Sequence, residues 1–337
     1  MPSCGSQITI CDLPIRFDTY KGCEHDCKYC FVQRKTDISN VEKRETTEAL
    51  IKFIKGKRTK ETNWCDWGIP LHWGGMSDPF QPAEKNYRLS YECLKIFAKT
   101  KYPVVVSTKG KLIADKEYLE LVKQCNIVVQ VSLVSPLYDR IEKGAPTFEE
   151  RLEIVRKLVP NCKRVIVRIQ PYIREAKKDI LTLLLPKLSE YGVYGITLEG
   201  MKNIRKVKGF DERIGADFCY PKEILKKDFL EIKKKANALG IKCFMAENRL
   251  RKYGDGLCCC GVGDLEGFKV NKYNLNHIYF DKEQYSPSKA MLKENSCECF
   301  SSSMQITAVH SALSKMSFKE CMDLSIKDIN NIKALGV

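Results

Sequence analysis

The chain has 337 residues, 44% of them hydrophobic, and carries 57 Lys and Arg against 42 Asp and Glu, a net charge of +15. That balance excludes wholesale disorder, and no apolar run reaches the length of a bilayer-spanning helix. Seventeen cysteines, an odd count in a long chain, do not read as a disulfide scaffold. The first residues, "MPSCGSQITICDLPIRF", lack a basic stretch followed by an apolar one, so the expectation is a cytoplasmic protein with no membrane contact.

In chain order, "IRFDT" (15–19), "IPLHWGG" (69–75), "PVVVSTKG" (103–110), "IVVQVSL" (127–133), "RVIVRIQP" (164–171), "GITLEG" (195–200) and "GIKCFMA" (240–246) are predicted as strands. They are short, rich in Val and Ile, and bounded by turn residues. Amphipathic patterns between them predict helices over 43–56, 84–100, 115–125, 147–159, 177–190 and 222–239, the last ended by Gly240. Strand–helix alternation implies a parallel sheet with right-handed crossovers, here an α/β partial (βα)6 barrel over 1–250. A cysteine-rich, irregular and helical extension over 251–337 is expected to follow.

In such barrels chemistry sits at the C-terminal strand ends. After the first strand comes "YKGCEHDCKYC", which puts Cys23, Cys27 and Cys30 on one loop in the spacing C-x3-C-x2-C. Three thiolates can grip three corners of a [4Fe–4S] cube and leave the fourth iron open, as a catalytic metal requires. Without further motifs, the same trio reads as a zinc site completed by His25 or a distant cysteine. After the second strand comes "HWGGMSDPFQPAEK", where Gly74 and Gly75 let a ligand approach the backbone and Ser77 and Asp78 can hydrogen-bond an amino group. Lys109 and Ser132 close the third and fourth strands, Arg168 and Gln170 the fifth, and Glu199 the sixth. Arg168, Gln170, Tyr172 and Glu199 are candidate adenosine or substrate contacts, or interior polar residues paired with neighbours.

The loop of Cys23, Cys27, Tyr29 and Cys30, followed by this alternation, resembles the radical S-adenosylmethionine (radical SAM) enzymes. The resemblance implies a [4Fe–4S] cluster whose open iron is chelated by S-adenosylmethionine. Electron transfer to the sulfonium then yields a 5′-deoxyadenosyl radical. It implies Tyr29 near the adenine, and Gly74, Gly75, Ser77, Asp78, Lys109, Ser132 and Arg168 around the cosubstrate. It also implies a reductant such as flavodoxin or ferredoxin.

"SDPFQPAEK", Lys109 and Ser132 narrow the resemblance to the spore photoproduct lyase-like branch, which includes proteins labelled "DNA repair photolyase". Two positions depart from the lyase. Gly75 and Met76 stand where it has a hydrogen-donating cysteine before the serine, and Phe31 stands where it has a tyrosine. The branch and the charge together point to nucleic acid. Residues 201–252 hold 15 Lys and Arg against 7 Asp and Glu. A peptide or small-molecule substrate is the alternative, and a non-enzymatic zinc-binding nucleic-acid module is a further one.

Cys258, Cys259, Cys260, Cys297 and Cys299 are candidates for a second metal site, a hydrogen-returning thiol or inert thiols. Cys93, Cys125 and Cys162 read as small buried hydrophobes, and His277 and His310 as structural histidines.

Overall fold

The computed structural model describes residues 2–4, 11–33, 36–44, 47–57, 68–214 and 217–270. Eight strands form one sheet in sequential order: β1 (Ser3–Cys4), β2 (Ile15–Phe17), β3 (Leu71–Trp73), β4 (Val104–Thr108), β5 (Ile127–Ser132), β6 (Arg164–Tyr172), β7 (Gly195–Gly200) and β8 (Lys242–Met245). β1 runs antiparallel to β2, and every later pair is parallel. All seven predicted strands are present, so the parallel part has one strand more than the expected six. The two edge strands do not pair with each other, so the barrel is open.

Helices α1 (Thr47–Ile54), α2 (Leu89–Thr100), α3 (Lys116–Val122), α4 (Phe148–Leu158), α5 (Leu185–Glu190) and α6 (Lys222–Ala238) form between the parallel strands. The predicted helix over 84–100 is broken at Arg88, whose φ of +51° ends a short turn at Glu84–Tyr87 before α2 begins. The predicted helix over 177–190 contains a π turn at Ile180–Leu184 ahead of α5. Gly240, at φ +77°, follows α6 as expected.

Strand alternation sorts the side chains into two layers. Val104, Val106, Ile127, Val129, Val165, Val167, Ile196 and Leu198 join the helices in the main core. On the other face, Val105, Val128, Ile166 and Phe244 form a second, smaller core with Leu13, Cys258, Cys260, Val262 and Phe268. The segment 257–268 therefore packs against the lower inner face of the sheet, together with Leu13 ahead of β2 and Phe244 on β8. Arg164 fastens it through Asp264 at 2.6 Å and the Gly261 carbonyl at 2.9 Å, and Thr197 Oγ1 donates to the Cys259 carbonyl at 2.6 Å. The described part of the expected extension is thus packed into the barrel itself. The remainder of 271–337, with Cys297, Cys299, His277 and His310, lies outside the described residues.

Candidate active site

The inner face changes character along the strands. Its lower residues are the apolar set of the second core, and its upper residues, toward the C-terminal strand ends, are polar. These are Arg16 on β2, His72 on β3, Ser107 on β4, Gln130 on β5, Arg168 and Gln170 on β6, and Glu199 on β7. They form one hydrogen-bonded belt across six strands. Arg16 donates to His72 Nδ1, His72 Nε2 lies 2.9 Å from Ser107 Oγ, and Ser107 donates to Gln130 Oε1 at 2.9 Å. Arg168 reaches Ser107 at 2.8 Å, Gln130 at 3.1 Å and Gln170 at 2.8 Å, and Gln170 donates in turn to Glu199. Of the candidates at these strand ends, Arg168, Gln170 and Glu199 are therefore brought together, whereas Tyr172 packs in the main core and its hydroxyl donates to Asp228 at 3.1 Å.

The three-cysteine loop lies over this belt and is clamped from two sides. On one side it meets the turn after β5. Lys28 N–H donates to the Ile141 carbonyl at 2.9 Å, and Gly144 N–H to the His25 carbonyl at 3.1 Å. Gly144 is required there, because a Cβ would stand 2.0 Å from the Glu24 carbonyl oxygen. On the other side it meets the loop after β3. Fully buried Gln81 accepts from Glu24 N–H at 2.8 Å and donates to the Gly22 carbonyl at 3.2 Å. Cys23, Cys27 and Cys30 thus share one loop braced from both sides. Burial raises the Cys23 thiol to about 12 and raises that of Cys27 as well, so these two are neutral until a cationic centre takes them as thiolates. Three soft donors on one braced loop fit a thiolate-ligated iron–sulfur cluster.

Ser77 and Asp78, expected beside a cosubstrate amino group, are engaged by the protein. Ser77 Oγ donates to the Gly22 carbonyl at 2.6 Å. Asp78 accepts from Thr108 Oγ1 at 2.7 Å, from Lys109 N–H at 2.6 Å and from Phe80 N–H at 2.8 Å, and lies 3.0 Å from His25 Nε2. Burial alone would raise its carboxyl, but His25 and these donors hold it at about 2. Asp78 ties the cysteine loop to the ends of β3 and β4. Gly74 has φ +87°, and a Cβ there would lie 2.4 Å from the Ser107 carbonyl oxygen. Glu84 in the same loop is fully buried, accepting from Tyr20, from Tyr118 at 2.9 Å and from the amides of Ser90 and Tyr91.

Lys109 points toward the cysteine loop. Its ammonium is 3.9 Å from Glu142 Oε1 and 5.7 Å from the Tyr29 ring centroid, and it interacts with the Cys27 thiol. Tyr29 donates to Glu142, which is also paired with Arg151 at 2.6 Å. Arg151 donates to the Ser132 carbonyl at 2.9 Å, linking that candidate to the same group. Sequence reasoning missed Glu142, Arg151 and Gln81, since a lone buried charge or amide carries no spacing signal.

A cavity of about 960 Å3 opens beside the loop, lined by Lys28, Tyr29 and Cys30. Its far wall includes Met201–Arg205, Lys208–Phe210 and Tyr220, and thus the strand Lys202–Asn203 of a small three-stranded sheet that Glu212–Ile214 and Asp217–Cys219 complete between β7 and α6. Lys28, Arg174, Lys202, Arg205 and Lys208 line it against a single acid, Glu175. Part of the basic stretch noted in the sequence is thereby placed at the mouth of the barrel.

Residues 18–184, about half of the chain, match the family model described as the Radical SAM superfamily. The chain belongs to the radical SAM superfamily. An uncharacterised protein of Mycobacterium tuberculosis is 25% identical over 205 residues, a match that spans 56% of this chain and 59% of the relative. Spore photoproduct lyase, solved with bound AdoMet and a dinucleoside spore photoproduct, superimposes with a TM-score of 0.50 at 14% identity, covering 69% of this chain and 76% of that one. Streptococcus suis SuiB bound to S-adenosylmethionine gives a TM-score of 0.48 at 12% identity over 70% of this chain and 50% of that one. The likeness to the lyase is one of fold. The radical SAM match runs from just after β2 into the π turn, so it contains the cysteine loop, the Gly-Gly loop and the belt as far as Gln170.

The second metal site has no such support. Among the described residues no three His, Cys, Asp or Glu side chains are assembled as a metal-binding group, at Cys258, Cys259 and Cys260 or at Cys23, Cys27 and Cys30, whose case rests on their spacing and on the family match. Cys258 and Cys260 are buried and Cys259 half-buried, three thiols in contact on a turn closed by the Gly261 N–H, and Arg251 hydrogen-bonds Cys259. No described helix is long and apolar enough to cross a membrane.

Proposed function

We propose that this radical SAM protein binds a [4Fe–4S] cluster through Cys23, Cys27 and Cys30, binds S-adenosylmethionine at the iron the protein leaves open, and acts on nucleic acid. When bound, the pair supplies one-electron cleavage of the sulfonium and the hydrogen abstraction that follows. This chain's residues do the holding and the shielding. Gln81, Asp78 and Gly144 fix the cysteine loop. Gly74 and Gly75 leave backbone open to the methionine end, Lys109 and Ser132 flank it, and Tyr29 lines the adenine side. Arg168 belongs to the belt beneath.

The observation that supports the nucleic-acid reading is the cavity wall beside Cys30, where Lys28, Arg205 and Lys208 stand with Arg174 and Lys202, the last two ion-paired with Asp228 and Glu199. Phosphates are the common anionic groups such a wall suits, and their neutralisation makes binding salt-dependent. A base inside a duplex would have to be turned out to reach the cysteine loop. The reading stops short of dimer reversal. Phe31 has no hydroxyl, and neither Gly75 nor Met76 has a thiol, so the lyase's hydrogen-return groups are absent at those positions.

Anaerobic reconstitution with iron and sulfide, reduction, and incubation with S-adenosylmethionine and single-stranded oligonucleotides test the reading. Oligonucleotide-stimulated 5′-deoxyadenosine formation is expected. Stimulation by peptides instead overturns the substrate, and stoichiometric zinc in a colourless protein overturns the cluster.

A further inference from the structure

Against the cysteine loop the protein buries a group of charges. Glu142 is 2% exposed and Arg151 1%, and the two pair at 2.6 Å. Lys109 brings its ammonium to 3.9 Å from the other Glu142 oxygen. Charges taken this far out of water gain little net stability over packed apolar side chains of the same volume. Their position supplies a different reason for them. Cys27 and Glu142 face each other in an antiparallel bridge, kept in register by the Lys28 N–H donating to the Ile141 carbonyl at 2.9 Å.

The two Glu142 oxygens are divided between two tasks. Oε2 meets Arg151, which is fixed in turn by donating to the Ser132 carbonyl at 2.9 Å. Oε1 accepts from the Tyr29 hydroxyl and is the oxygen near Lys109. The Lys109 ammonium also stands 5.7 Å from the Tyr29 ring centroid. One carboxylate therefore orients two side chains next to the loop that carries Cys27. It also sets the local charge. Lys109 and Arg151 against Glu142 leave a single net positive charge in the group, since Asp139, 3.6 Å from Arg151, is 33% exposed and screened by water. Beyond burial itself, Lys109 and Arg151 favour a thiolate at Cys27 and Glu142 opposes one. The same field acts on an electron added beside Cys27, because net charge is among the factors that set the potential of a thiolate-held cluster.

We infer that Glu142 is a positioning residue with an electrical role: it holds Tyr29 and Lys109 in place, and by offsetting Lys109 and Arg151 it sets how readily a cluster on Cys27 accepts an electron. The inference rests on the cluster proposed above. One electron arrives from an external low-potential donor, and no bond to Glu142 forms or breaks.

The test is an anaerobic redox titration of the full-length protein after reconstitution with iron and sulfide. S-adenosylmethionine is left out, dithionite is the reductant, and electron paramagnetic resonance is the readout. Glu142→Gln removes a negative charge and keeps an acceptor for Tyr29. It is expected to give about tenfold more reduced cluster at a fixed ambient potential, an upward shift of about 60 mV. Lys109→Gln removes a positive charge and is expected to shift the potential downward. Glu142→Asp keeps the charge and stays near the native value. Thr147→Ala, which weakens the cap behind the same turn and removes no charge there, leaves the potential unchanged. A merely structural role moves Glu142→Gln and Lys109→Gln in the same direction. A native potential in folded, loaded Glu142→Gln, or shifts of one sign in both variants, overturns the inference. If Glu142→Gln takes up no cluster, an unchanged potential in Lys109→Gln overturns it. Native protein that shows no iron–sulfur absorbance overturns the proposed function, and this inference with it, whereas loaded native protein with unshifted variants overturns the inference alone.

Discussion

At the scale of single residues, buried carboxylates decide how the site is held. Glu84 makes no contact with the cavity, yet it gathers two tyrosine hydroxyls and two backbone amides under the loop that carries Gly74 and Asp78. Glu84→Ala leaves those donors without a partner in a dry interior, so a loss of about 3 kcal/mol or more is expected in denaturant unfolding. Asp18 behaves differently. Burial raises its carboxyl to about 6 against the opposing pull of the Met76 and Ser77 amides. The folded state then holds a proton that the unfolded state has released between the ordinary carboxylate range and about pH 6. Its contribution to stability is therefore full below that window and declines as pH rises through it. Asp18→Asn keeps an acceptor for the two amides and removes the decline. Relative to the native protein, the variant is expected to gain on the order of 2 kcal/mol between about pH 4 and pH 7. Denaturant titrations at the two pH values measure it, and a pH-independent difference refutes it. For the proposed cluster, Cys27→Ala is expected to abolish iron–sulfur absorbance after reconstitution while circular dichroism stays native.

At the scale of elements, the turn between β5 and α4 is the unexpected clamp. Thr147 caps α4 through a reciprocal pair with Glu150, fixing where the helix begins. That start sets the preceding turn, from which Ile141 and Gly144 hold the cysteine loop. Thr147→Ala is expected to cost about 1 kcal/mol, and hydrogen exchange at Lys28 and Gly144 should quicken if the clamp transmits that loss. Elements were legible where their chemistry is local. The Val-rich runs produced all seven parallel strands, and Gly240 marked the end of α6. The break at Arg88 was not legible, because the buried Glu84 takes the Ser90 and Tyr91 amides at the start of α2 and so overrides a continuous helical pattern. The small sheet over 202–219 was missed for a similar reason, since its strands are two or three residues long and carry no alternation to read. The cysteines and glycines of the site stood out by spacing. Ser77 and Asp78 were visible as residues but not as braces, because their partners come from other loops.

At the scale of the whole molecule, charge is distributed by position. The basic wall at the mouth predicts that oligonucleotide affinity falls steeply with salt. Arg205→Ala and Lys208→Ala are each expected to lower the slope of log affinity against log salt by about one. Unchanged slopes in both variants would remove these side chains from any phosphate contact. The floor is held by different forces. Phe268 packs with Val105, Val128 and Ile166 under the belt, and Phe268→Ala is expected to cost about 3–5 kcal/mol through the cavity it leaves.

The segment over 257–268 also governs how solvent approaches the belt. Where Cys258, Cys260, Val262 and Phe268 pack beneath Val105, Val128 and Ile166, the underside of the sheet is filled by the chain's own side chains. Close packing there leaves no room for bulk water to rise from below toward the polar belt.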